Sequence, residues 1–210
     1  MRPDADKLTS MDEQRVRGSA AFFKAEPDGH IDMQATMEET QAFENRVLER
    51  LNAGHTARSF LIAAVDLLSE AVNNLVIQVF RKDDYAVKYA VEPLLLGNGP
   101  LNELSVRLKL IYGLGAISRN EYEDAELLMA LREALNDDGS EYRFTDDEML
   151  GPFAELHCVA ALPPPPDLTH SDIALHVMLQ QRYQQVVRST LVLSLTELIS
   201  RIRIRQPFKK

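Results

Sequence analysis

The chain has no tryptophan, one cysteine, and aromatic residues at only 7% of its 210 positions. A single thiol, Cys158, cannot close an intramolecular disulfide, so the disulfide-dense secreted scaffolds are excluded and a reducing compartment is expected. Positive charge is also in deficit. Against 32 Asp and Glu stand 23 Lys and Arg, a formal net charge of -9, so the molecule as a whole is not drawn to phosphate backbones and any nucleic-acid contact must be local. The first residues, Met-Arg-Pro-Asp-Ala-Asp, carry acids where a signal peptide carries bases and an apolar run, and no stretch is read as approaching the ~20 apolar residues of a membrane span. A cytoplasmic location without membrane contact is the expectation. No β-rich stretch competes with helix anywhere along the chain.

What is present is helical periodicity. Residues 1–32, with Pro3, Gly18, Pro27 and Gly29 among scattered charges, read as a flexible N-terminal arm. From Met33, apolar and small residues recur at steps of three and four through Phe43, Val47 and Leu51 to Gly54, which marks a first helix. Thr56 to Arg81 carries so broad an apolar face that it suits a central position. A short helix from Asp84 is expected to stop before Pro93. The stripe Leu101, Leu104, Leu108, Ile111 and Leu114 closes at Gly115, and Ser118 with Glu121 forms a capping box for a helix to Asn136. Thr145 and Glu148 repeat that signature, with Pro152 expected to divide the segment and a second helix to reach Leu162. After Pro163 to Pro166, a long helix from Ser171 passes Ile199 and leads to a basic tail, 201–210. The fold class is therefore all-α: one helical-bundle domain over 33–200.

Chemistry is hard to find. There is no Gly-x-Ser-x-Gly turn and no helical histidine pair. His157 and Cys158 are adjacent, so on a helix they diverge by about 100° and cannot readily share a metal. His170 and His176 lack a zinc spacing, and Gly113-Leu114-Gly115 ends a helix with no strand before it, so it is not a phosphate cradle. No catalytic residue, metal or cofactor is expected. Asp66 and Glu70, one turn apart on the central helix, are read as a structural polar cluster with Arg107.

A DNA-reading element is also missing. Leu110 to Leu128 has the outline of a helix-turn-helix, but its second helix would present Glu121, Glu123, Asp124 and Glu126 to phosphates, with only Arg119 to offset them. The candidate phosphate contacts are Arg201, Arg203, Arg205, Lys209 and Lys210 in the tail.

From Met33 onward the chain resembles the mannitol operon repressor family. The resemblance rests on Ala35-Thr36-Met37-Glu38, Arg58 to Ile62, Phe80 to Tyr85, Leu104 to Gly115 (LSVRLKLIYGLG), Glu121 to Asp124, and Phe144 to Pro166. It implies negative regulation of mannitol genes by an all-helical, MtlR-like protein that lacks a standard DNA-binding motif. It also implies a distant kinship to HEPN domains, some of which cut RNA with an Arg-x(4 to 6)-His motif. Here Arg132 is followed by Glu133, Asn136, Asp137 and Asp138, with no histidine in reach. Three modes of action follow. The first is repression through a protein partner, for which the resemblance points to the sugar phosphotransferase carrier HPr, docking on the acidic face Glu121, Glu123, Asp124, Glu126 and Glu155. The second is direct operator binding by a dimer through the basic tail. The third is a degenerate HEPN-like RNA-processing protein.

Overall fold

The computed structural model describes residues 29–80, 85–167, 169 and 173–206. The chain divides into two compact units, 1–38 and 39–210, and the hydrophobic core belongs to the second. The described residues form seven helices and no strand: α1 (Gly29–Ala53), α2 (Ala57–Val79), α3 (Tyr85–Leu95), α4 (Leu104–Gly113), α5 (Arg119–Asp138), α6 (Asp147–Glu155) and α7 (Ile173–Ile204). This is the all-α bundle that the periodicity predicts.

Helix α2 is the hub, packed against α4, α5 and α7. Its burial is nearly all-round because apolar residues fill so many of its positions: Phe60, Leu61, Ala64, Leu67, Leu68, Ala71, Val72 and Leu75 are inaccessible to solvent. Each leucine-sized side chain removed from water contributes roughly 1.5–3 kcal/mol before chain entropy is set against it. Contrary to the sequence expectation, this 23-residue helix is by length and composition apolar enough to cross a membrane, but over half of its most apolar stretch is buried inside the protein, as in a central core helix. Its N-terminus is fixed by Thr56, whose hydroxyl accepts from the Ser59 N–H at 3.2 Å while the Ser59 hydroxyl accepts from the Thr56 N–H at 3.1 Å. Gly54 is required just before it, because a Cβ there would lie 2.9 Å from the Phe60 backbone.

Several boundaries differ from expectation. Helix α1 begins at Gly29 rather than Met33. Helix α3 runs through Pro93 to Leu95, and α6 runs through Pro152 to Glu155. A proline denies a hydrogen bond to the carbonyl four residues earlier. Those carbonyls belong to Tyr89 and Glu148, both exposed residues, so water can replace the lost donor. The capping box at Thr145 does not form: Asp146 is the N-cap residue of α6, and its carboxylate accepts from the Arg143 N–H at 2.8 Å. Beyond Glu155 the chain leaves the helix, so His157 and Cys158 sit in a turn. Helix α7 continues to Ile204, because Leu198, Ile199 and Ile202 carry the buried stripe into the segment expected to be a tail.

Candidate partner-binding face

The face is built from the N-terminal half of α5 and the turn after α6. Ser118 caps α5 as predicted: its hydroxyl accepts from the Glu121 N–H at 3.3 Å, and the Glu121 carboxylate accepts from the Ser118 N–H at 2.7 Å. Reaching back to its own helix start turns Glu121 inward, to 3% exposure. Its other oxygen then takes two guanidiniums, Arg201 at 3.0 Å and Arg205 at 2.7 Å. Burial pushes the Glu121 carboxyl up, but the Ser118 hydrogen bonds with the Arg205 and Arg201 charges more than reverse this and hold it below the usual carboxylate value of 4.5.

Asp124, one turn on, is also buried. One of its oxygens accepts from the His157 N–H at 2.6 Å and the other from the Cys158 N–H at 2.9 Å, which pins the turn after α6 to α5. Burial, followed by the neighbouring Asp124 carboxylate, pushes the Cys158 thiol up to about 12. Together Glu121, Asp124, Cys158, Arg201 and Arg205 line a polar cavity of about 410 Å³ that Ser118 and Ser194 also border.

The remaining acids look outward. Glu123 accepts from Arg119 at 2.7 Å and lies 3.0 Å from the His157 ring, Glu126 accepts from the Tyr122 hydroxyl, and Glu155 is exposed at the end of α6. Because Asp124 anchors His157, it brings the end of α6 beside Glu123. The five acids expected to share one docking face are thus divided. Glu121 and Asp124 belong to the interior, and Glu123, Glu126 and Glu155 belong to the surface.

The other expected sites are also redistributed. Arg107 does not join Asp66 and Glu70: burial lowers its guanidinium pKa, and it donates to Ser69 at 3.0 Å, Asn73 at 3.2 Å and the Asn102 carbonyl at 3.2 Å. Asp66 instead faces Arg50 at 3.7 Å and Arg132 at 4.0 Å, while Glu70 takes Arg46 and Arg203. Arg203 also lies over the Phe43 ring, 4.1 Å from its centre, and reaches Glu39 at 3.2 Å. Arg201, Arg203 and Arg205 are therefore engaged by Glu39, Glu70 and Glu121 rather than presented as a free basic strip. Lys209, Lys210 and His170 lie outside the described residues. Among the described residues no group of three His, Cys, Asp or Glu side chains is placed to hold a metal ion.

Residues 43–203 match the mannitol repressor family model. The chain belongs to this family. It is 77% identical over 179 residues to the mannitol operon repressor of Escherichia coli strain K12, covering 85% of this chain and 92% of that protein. Its fold superposes on the X-ray structure of the MtlR–HPr complex from Escherichia coli with a TM-score of 0.74 and 78% identity, over 78% of this chain and 99% of that one. A shorter similarity, 34% over 105 residues, links half of this chain to 62% of fumarase E of Escherichia coli.

Proposed function

We propose that this protein represses a mannitol operon and does so with the phosphocarrier HPr bound to the surface acids Glu123, Glu126 and Glu155. The observation that carries the reading is the partition of the acidic residues. Two of them, Glu121 and Asp124, are consumed by internal hydrogen bonds, and three stay accessible: Glu123 and Glu126 on α5, and Glu155 at the end of α6, just before the turn that Asp124 holds. Basic residues around the carrier's phosphorylatable histidine complement such a face, and a phosphate there is repelled by it, so binding reports sugar status. The family supports the repressor role, and the relative solved as a complex with HPr supports the partner. An operon repressor works in the cytoplasm, where both carrier and DNA are at hand.

Contact with DNA by way of a partner is favoured over direct binding through the C-terminal arginines, because those arginines already hold acids of their own chain. Calorimetric titration of the full chain with unphosphorylated and phosphorylated HPr tests the proposal. Tighter binding of the unphosphorylated carrier, lost in Glu123→Lys, is expected. Equal affinity for both forms, or full binding by the Glu123→Lys protein, overturns it.

A further inference from the structure

Helix α7 has two apolar faces. One carries Val187, Leu191, Leu195, Leu198 and Ile202 into the core. The other is exposed and runs Leu175, Arg182, Val186, Leu193, Glu197, Ile204, at steps of seven, four, seven, four and seven residues. Eleven residues make about three helical turns, so these six fall in one narrow stripe on the side opposite the core, about 44 Å long from end to end. The leucine and isoleucine side chains there are far from buried: Leu193 is 64% exposed and Ile204 51%.

The order of the stripe is the informative feature. Reversed about the midpoint between Ser189 and Thr190, it maps Leu175 on Ile204, Arg182 on Glu197, and Val186 on Leu193. Apolar meets apolar and cation meets anion under a two-fold rotation, the requirement for an isologous contact between identical surfaces. Arg182 has no ion-pair partner among the described residues, and Glu197 has only Arg201, at 3.7 Å along its own helix. Beside the stripe, Leu48 of α1 with Leu193, Ser200 and Ile204 forms a groove, and the buried Ser200 hydroxyl has no hydrogen-bond partner.

We propose that a second copy of this chain covers the outer stripe of α7, in an antiparallel two-fold dimer with Arg182 of each copy facing Glu197 of the other. Sedimentation analysis of the full chain across a concentration series tests this, with helix content and melting followed by circular dichroism. A concentration-dependent dimer is expected, and Leu193→Asp, at a site already exposed, is expected to leave a folded monomer. Arg182→Glu and Glu197→Arg each weaken the dimer about tenfold, and the double exchange returns affinity toward that of the wild type. A chain that stays monomeric throughout, or a Leu193→Asp variant that dimerises normally, overturns the surface. A double exchange no tighter than the single variants overturns the antiparallel register. Binding of HPr by Leu193→Asp is expected to be unchanged, because the stripe includes none of Glu123, Glu126 and Glu155.

Discussion

Glu121 and Asp124 on one side of α5, and Glu123 and Glu126 on the other, have the same chemistry and are interleaved in sequence, yet they face opposite constraints. The inner pair is buried and saturated with partners: a helix-capping N–H and two guanidiniums for Glu121, two backbone N–H groups for Asp124. The outer pair meets only side chains at the surface, Arg119 and His157 for Glu123 and Tyr122 for Glu126. A charge withdrawn from water must be compensated on every side, whereas an exposed charge is compensated by solvent and remains available to a partner. The inner acids thus set the geometry in which the outer ones are displayed.

Asp124→Ala should break that arrangement most severely. It strands two backbone donors in a buried site, so a loss of about 3 kcal/mol is expected in chemical denaturation, together with weaker HPr binding as His157 and Glu155 lose their anchor. Glu121→Ala follows, at about 2 kcal/mol, because Arg201 and Arg205 are partly exposed and recover some hydration when their carboxylate is removed. The same group predicts an acid limb. With its folded pKa held below the usual 4.5, Glu121 binds protons more readily in the unfolded chain. Its stabilisation is therefore complete above that value and is lost as pH falls through the lower folded pKa. Glu121→Gln should flatten this part of a melting-temperature profile between pH 3 and pH 5, a range set by carboxylate titration at roughly pH 4.

Smaller effects separate the two faces further. With its thiol pushed up to about 12, Cys158 should react with iodoacetamide far more slowly at neutral pH than a free cysteine, and Asp124→Asn should speed the reaction. Glu123→Gln should leave stability close to that of the wild type, as for other exposed ion pairs, while still weakening HPr binding. A large stability loss in that variant, measured by the same denaturation, would erase the distinction between the inner and outer acids.

Much of the fold is legible in the periodicity: α2 as the hub, the Ser118 capping box and the Gly115 stop all follow from local pattern. Part of the site was legible too, although it was misread. Ala125, Leu128 and Leu135 define the inward face of α5, and both acids stand in phase with them, Glu121 four and seven residues before Ala125 and Leu128, Asp124 four and eleven before Leu128 and Leu135. Judging those acids by charge rather than by helical phase placed them outside. The same applies to Arg201, Arg203 and Arg205, which look like a solvated tail until Ile202 is seen to continue the buried stripe of α7.

Other features depend on contacts that no local pattern encodes. The arginine partners of Glu121 lie 80 and 84 residues away, and the partners of Asp124 lie 33 and 34 residues away. By itself, the sequence determined an all-helical protein, its family, and the identity of the acids and bases available for binding, because helix formation and side-chain chemistry are local properties. Only the tertiary structure decided which of those charges neutralise one another inside and which remain for a partner. Pairing across the chain depends on how the helices pack, and a charge is free only where packing leaves it in water.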